Sequence, residues 1–257
     1  MSTTEASGFR IHVDVSNPGQ FFACCGLLEL ASRLNPNACG WFDAFYFHVS
    51  FGPTLKEITG LIVNAQLTQL DEEDKTASPI LISAPFSMRL DWWKSSDRAD
   101  LSLKIWAGTM ESFRIARAMQ NAMRADGFDS ESMFDTATVA YDPDDSTKKV
   151  EPFYFDARRG PNAHSRDVGF APNDLGLTTI ASPAVELLCL IGLQRVRPIL
   201  TEKPRIFDYH LWTRPLPASL ASVAAAGLLP NLSGQCFRFE SWFRTGQRKH
   251  KAFLTAK

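Results

Sequence analysis

Residues 9–34 read FRIHVDVSNPGQFFACCGLLELASRL, and this stretch carries the clearest structural signals in the chain. From 9 to 15, apolar residues alternate with polar ones, the period of two that is typical of a strand with one buried face. The turn-forming trio at 17–19 ends that pattern. From 20 to 34, apolar residues recur at helical spacing and dominate the composition. The stretch therefore predicts a strand, a turn and a mostly buried helix.

Further helices and strands follow the same patterns outside this stretch. Helices are predicted over about 54–70, 109–124 and 183–195, with Thr54 and Ser182 as N-caps. Strands are predicted near 45–51, 80–83, 88–92, 101–105, 153–155, 205–214 and 236–244. No internal repeat is visible, and the helices are interspersed irregularly among the strands. We therefore predict an α+β protein with mixed or antiparallel sheets.

Residues 126–151 interrupt this pattern. They are acidic and turn-rich and have no lasting apolar period, which predicts an exposed loop or insert. The 257 residues of the chain are ample for a sizeable core. We predict one compact unit over 1–257 with the insert at about 126–151, within which 1–125 and 152–257 could form sub-lobes.

Charge is distributed unevenly along the chain. The 27 Lys and Arg residues nearly balance the 28 Asp and Glu residues, so the net charge of -1 gives no bulk argument for nucleic acid or membrane. Residues 1–150 hold 13 basic and 20 acidic residues (-7), whereas 151–257 hold 14 and 8 (+6). The basic half is therefore the part in which we expect contacts with an anionic partner.

The cysteines and the N-terminal residues bear on the compartment. The 5 cysteines lack paired spacing, which favours a reducing environment over a disulfide framework. The first residues lack the basic and apolar regions of a signal peptide, and no apolar run approaches the ~20 residues of a membrane span. We expect a cytoplasmic protein without membrane contact.

Several classes of enzyme site have no signature in this sequence. It contains neither a phosphate-binding loop nor a dinucleotide fingerprint, and its 5 histidines lack the spacing of a metal site, so we predict no cofactor and no metal. Asp142, Asp144 and Asp145 could ligate a hard cation, but a solvated acidic turn is favoured. Cys24 or Cys25 could be a nucleophile, although their apolar neighbours favour buried thiols.

A first basic cluster lies on the helix predicted over 109–124. Arg114, Arg117, Asn121 and Arg124 fall on one helical face. Three guanidinium groups with one amide suit a row of phosphates. The alternative is an ordinary solvated helix surface.

A second basic cluster lies in the polar loop 156–167, directly after an aromatic strand. Arg158, Arg159, His164 and Arg166 are its candidate nucleic-acid contacts, because loops rich in donors are where binding residues concentrate. The alternative is a loop whose arginines pair internally with its aspartates.

A third basic cluster lies in the tail 237–257. Arg244, Arg248, Lys249 and Lys251 follow or interleave with aromatic residues, an arrangement that suits single-stranded nucleic acid. The alternative is an edge strand with a solvated basic end.

Three blocks of the sequence resemble a family of small CRISPR-associated proteins encoded beside type I-G (formerly I-U) interference genes. They are Val13–Ala31 (VDVSNPGQFFACCGLLELA), Pro152–Arg158 (PFYFDAR) and Ile191–Pro198 (IGLQRVRP). The resemblance implies a non-catalytic, large-subunit-like component of a Cascade-like effector complex, although 257 residues are few for a full large subunit. The implied partners are guide RNA, target DNA and other effector subunits.

Residues and resemblance together predict a nucleic-acid-binding subunit of a type I CRISPR RNA-guided surveillance complex. Base pairing would supply sequence specificity in such a complex, while the protein holds the backbone. Two alternatives remain open: a Cys- or metal-dependent hydrolase, and a protein-only adaptor that recruits the helicase-nuclease. The sequence leaves RNA and DNA undistinguished.

Overall fold

The computed structural model describes residues 8–94, 103–106, 110–159, 180–243 and 251–255. The helices in these ranges are α1 (Pro18–Leu34), α2 (Leu55–Asn64), α3 (Ser112–Ala122), α4 (Pro183–Arg195) and α5 (Ala218–Ala225), with a 3-10 turn at Trp92–Lys94. The strands are β1 (Gly8–His12), β2 (Cys39–Asp43), β3 (Tyr46–Ser50), β4 (Leu67–Gln69), β5 (Ile80–Ile82), β6 (Met88–Leu90), β7 (Tyr141–Asp142), β8 (Asp145–Lys149), β9 (Ile199–Leu200), β10 (Ile206–His210), β11 (Leu216–Pro217), β12 (Cys236–Phe243) and β13 (Lys251–Thr255).

These strands form small sheets that are antiparallel throughout the described ranges. Two sheets have four strands, in the orders β1-β3-β2-β11 and β13-β12-β10-β9. A third sheet has the order β4-β5-β6, and β7 and β8 form a hairpin. Helices and strands alternate irregularly along the chain, so the predicted α+β class with antiparallel sheets is confirmed.

Helices α1 and α4 form a closely packed pair inside the protein. Both are apolar nearly all round, which is the pattern of a helix that is buried on every side. They cross at Gly26 and Gly192, where their backbones touch. A Cβ atom added to Gly26 would lie 2.1 Å from the carbonyl oxygen of Leu188, and one added to Gly192 would lie 2.0 Å from that of Phe22.

The inner faces of the sheets pack around this helix pair. Phe42 of β2 stacks on Phe21 of α1 and meets the ring of Trp212 edge-on. On another side, Phe155 packs against Phe253 of β13. Buried residues from both predicted sub-lobes belong to one continuous hydrophobic core.

The α2 helix is shorter than its sequence pattern predicts. Its N-terminus is as expected, because Thr54 and Glu57 form a reciprocal capping box. Its C-terminus lies at Asn64 rather than near 70, since Leu67–Gln69 instead pairs with β5 as strand β4. The apolar spacing continued past the helix because a strand with one buried face also supplies regularly spaced apolar residues.

Two predicted strands are absent from the described ranges. Residues 153–155 are buried but form no strand, since Tyr154 has a left-handed φ of 73°. Residues 103–105, the described part of the strand predicted over 101–105, also form none. Both short apolar segments pack in the core without pairing along a sheet.

The segment 126–151 is more ordered than a plain loop. Met133 and Phe134 are buried in the core, which anchors the start of the segment. The hairpin β7–β8 then occupies 141–149, and every residue of β8 is exposed. The acidic composition therefore reflects an exposed hairpin between two anchored flanks.

Candidate nucleic-acid interface

The first two arginines on α3 are paired with acidic residues of the β7–β8 hairpin. Arg117 makes a bidentate contact with Asp144, at 2.6 and 3.0 Å. The Nε atom of Arg114 lies 2.7 Å from Asp142. The first two arginines of the predicted row are therefore not open in this structure, because carboxylates from a distant part of the chain pair with them.

Arg124, at the end of the same helix face, has a structural contact. Its Nε donates a hydrogen bond of 2.5 Å to the carbonyl oxygen of Val63. Gln120 donates to the neighbouring carbonyls of Ile62 and Ala65. Both side chains thus satisfy carbonyl groups that are left without helical partners where α2 ends.

Arg158 forms an ion pair with a buried carboxylate. Its guanidinium donates to both carboxylate oxygens of Asp156, at 2.8 to 3.1 Å, and also to the carbonyl oxygen of Phe134. Asp156 is fully buried. At Arg158 the structure therefore matches the internally paired alternative, and the phosphate contact stays a prediction. Arg159 has a buried Nε without a hydrogen-bond partner among the described residues, whereas His164 and Arg166 lie outside them.

The tail differs from its prediction at the one candidate residue that is described. Lys251 lies in strand β13 and is only 6% exposed, with its Nζ 5.8 Å from the centre of the Phe243 ring. Its backbone N–H donates to Ile105. A phosphate contact at Lys251 is therefore wrong, because strand pairing buries it. Arg244, Arg248 and Lys249 lie outside the described residues.

A buried polar network joins the first two blocks that carry the family resemblance to helix α4, which continues into the third block. The side chain of Asn17, in the first block, donates to Asp156 in the second at 2.8 Å and accepts from the backbone of Ala157. Glu186 of α4, near the third block, accepts the backbone N–H groups of Phe155 and Asp156. The blocks thus meet where α1 and α4 are tied to the segment 152–158.

The two carboxylates of this network have opposite pKa shifts. Burial alone would raise the pKa of Asp156, but the hydrogen bonds and charge of Arg158 outweigh it, so this pKa is lowered. Burial, with the nearby charge of Asp156, raises the pKa of Glu186 to about 8 despite its backbone donors. Near neutral pH the network therefore holds one ionised and one protonated carboxyl group.

Among the described residues, most of the groups named for the hydrolase alternative are buried or paired with arginines. Cys24 and Cys25 are buried in α1, and burial raises the pKa of both thiols, which opposes thiolate formation. Asp142 and Asp144 are paired with arginines. Within the described ranges, no three His, Cys, Asp or Glu side chains converge as metal ligands would.

The outer face of the β1-β3-β2 sheet is a continuous array of rings and cationic groups. Trp41 of β2 stacks on His48 of β3 with ring centres 4.9 Å apart and planes 7° apart. Tyr46 of β3 contacts the ring of His12 edge-on at 5.7 Å, and the guanidinium of Arg10 lies 4.9 Å above its ring. We call these five residues the aromatic face.

Strand alternation places the aromatic face toward solvent. On β3, Phe47 and Val49 point into the core, so Tyr46 and His48 point outward. The register sets His12 opposite Tyr46 and Trp41 opposite His48. Arg10 and His12 are exposed, and the other three residues are partly exposed.

One carboxylate, that of Asp43, lies at the border of this face. Its Oδ2 is 2.6 Å from Nε2 of His48. Desolvation opposes ionisation of Asp43, but the contact with His48 and the backbone N–H groups of Phe45 and Tyr46 together outweigh it, so the pKa of Asp43 is lowered. The carboxylate thus orients the imidazole against Trp41, and Arg10 is the permanent cation of the face.

Aromatic rings beside a guanidinium on an open sheet can stack unpaired bases and contact the adjoining phosphates. This site was not predicted from the sequence, because strand β2, which supplies Trp41, was not predicted. Alternation in 9–15 already indicated that Arg10 and His12 share the polar face of one strand, and a strand was predicted over 45–51 without an assignment of its faces. Only the pairing of the strands shows that these faces coincide.

None of the helices in the described ranges is both long and apolar enough to cross a membrane. Comparisons of this chain with protein-family models, with curated proteins and with solved structures found no match.

Proposed function

We propose that this protein is a non-catalytic, single-stranded nucleic-acid-binding subunit of a type I CRISPR RNA-guided surveillance complex, with guide RNA as its ligand. The observation that carries the binding role is the aromatic face. The resemblance of three sequence blocks to type I-G-associated proteins supports the assignment to such a complex. Sequence specificity would come from base pairing by the guide, while the protein holds the strand.

The chemistry of the aromatic face favours an unpaired strand over a duplex. Bases in a duplex are stacked on one another and offer only their edges, whereas unpaired bases expose faces that Tyr46 and Trp41 can stack on. Arg10 can contact a phosphate next to a base on Tyr46. The three basic clusters predicted from sequence contribute fewer open contacts, since Arg114, Arg117, Arg124 and Arg158 already have protein partners.

We expect Trp41→Ala and Tyr46→Ala each to weaken binding of a fluorescent single-stranded 20-nucleotide RNA by about fivefold to 150-fold. The reason is that base–aromatic stacking contributes about 1–3 kcal/mol per base. Fluorescence anisotropy at fixed salt measures the effect. Leu228→Ala is the control, because Leu228 is a 66% exposed apolar residue outside both four-stranded sheets and all three basic clusters. Equal losses in Trp41→Ala and the control would contradict the proposed interface.

Membership of a complex requires a separate experiment in the native host. Tagged protein should co-purify with other CRISPR effector subunits and with guide RNA identified by sequencing. Co-purification with the helicase-nuclease but without RNA would instead support the adaptor alternative. Recovery of neither would contradict the assignment to an effector complex.

A further inference from the structure

The β7–β8 hairpin covers part of helix α3 and is attached there mainly by charge. From 141 to 149, every residue is exposed or partly exposed, so the hairpin buries no apolar side chain of its own. Its flanks are fixed, because Ala140 and Val150 are buried and hydrogen-bonded to each other. The hairpin therefore has a fixed base and a free end that faces the arginines of α3.

The groups beneath the hairpin resemble a backbone-binding site whose phosphate positions are filled by aspartates. Arg114 and Arg117 are one helical turn apart and face Asp142 and Asp144, respectively. The guanidinium of Arg117 also lies 5.6 Å from the centre of the Phe113 ring. A guanidinium group beside an aromatic ring is also what Arg10 and Tyr46 present on the aromatic face.

The contacts between the hairpin and α3 are of a kind that allows phosphates to replace the aspartates. The Nε atom of Arg114 is within ion-pair distance of Asp142, but it is buried without a hydrogen-bond partner among the described residues, so the pair is poorly aligned. Asp144 is largely exposed. A cavity of about 290 Å³ lies between hairpin and helix and is lined by Phe113, Arg114, Arg117, Asp142, Asp144 and Lys148, among others.

We propose that α3 carries a second backbone site for the same single-stranded RNA, and that the β7–β8 hairpin occupies it until phosphates displace Asp142 and Asp144. This inference rests on the proposed function. The Arg117–Asp144 pair contributes little stability because Asp144 is largely exposed, and the Arg114–Asp142 pair is poorly aligned. Phosphates supply the same charge with better acceptor geometry, so they can replace the two aspartates. The hairpin thus lowers the affinity of the free protein for RNA.

We expect the double variant Asp142→Asn/Asp144→Asn to bind the fluorescent 20-nucleotide RNA about tenfold more tightly, because RNA no longer has to break two ion pairs. Glu131→Gln/Glu202→Gln is the charge-matched control, since it removes two exposed acidic groups elsewhere. It should give a clearly smaller gain. Adding Arg117→Gln to the double variant should reverse the gain in affinity. It should also reduce the slope of the logarithm of affinity against the logarithm of salt concentration by about 0.7, since one phosphate contact is lost.

Hydrogen exchange provides a second readout that uses the unmodified protein. Amide protons of 141–149 should exchange faster when RNA is bound, because the hairpin loses its contacts with α3. Unchanged exchange, or a gain in the double variant no larger than in the control, would overturn the inference.

The outcomes for the two sites are distinguishable. If Trp41→Ala weakens binding but the double variant matches its control, the hairpin inference fails and the aromatic face stands. If the double variant gains affinity and Trp41→Ala has no effect, the aromatic face fails and the α3 site stands. Absence of RNA binding by the parent and the double variant overturns both.

Discussion

Gly192→Ala is expected to prevent the protein from reaching its native structure. The added methyl group would lie 2.0 Å from the carbonyl oxygen of Phe22 and 2.7 Å from the amide nitrogen of Gly26. Both atoms belong to the backbone of α1, so no side chain can move aside. Separating α1 from α4 would disrupt the centre of the core, and we expect a loss of more than about 3 kcal/mol in the free energy of unfolding.

The matched control for this substitution is Gly60→Ala. Gly60 is in the interior of α2, and nothing lies within 4 Å of the position where its Cβ would be. We expect this variant to gain up to about 1 kcal/mol, because alanine favours the helix more than glycine does. Urea unfolding followed by circular dichroism measures the free energy of unfolding of both variants. A Gly192→Ala protein as stable as the parent would show that the helices do not cross as closely as described.

Glu186 is expected to make the protein less stable as the pH rises from about 5 to 8. Its pKa is about 8 in the folded protein and near 4.5 when exposed, because burial disfavours its charged form. Between these values the unfolded chain ionises while the folded one stays protonated. Unfolding therefore releases a proton, and the free energy of unfolding falls by up to about 1.4 kcal/mol per pH unit. Across this window the total is on the order of 4 kcal/mol.

Urea unfolding at several pH values measures this slope. Glu186→Gln should flatten it, since the amide cannot ionise, whereas exposed Glu202→Gln should keep the slope of the parent. Asp156 contributes in the opposite direction and at lower pH, because its lowered pKa adds stability that is lost as the pH falls through that value. The same slope in the parent and in Glu186→Gln would contradict the protonated state of Glu186.

The candidate site could be only partly predicted from the sequence. Alternation correctly indicated that Arg10 and His12 lie on the polar face of one strand, and a strand was predicted over 45–51 without an assignment of its faces. The missing element was β2, a short segment containing Gly40 that has little strand propensity of its own. Its position beside β3 depends on a tertiary contact, the packing of Leu28 and Phe47 over Gly40.

The sequence alone determined the helices α1 and α4, the capping of α2, and the α+β class, because periodicity and caps act between residues a few positions apart. The tertiary structure decided which charged groups remain open to a ligand. Arg117 meets Asp144 and Arg158 meets the carbonyl oxygen of Phe134 across separations of 27 and 24 residues. Whether a guanidinium is free depends on which groups the fold brings within about 4 Å of it. The attraction between a guanidinium and a carboxylate depends on their distance in space and not on how far apart they lie in the sequence.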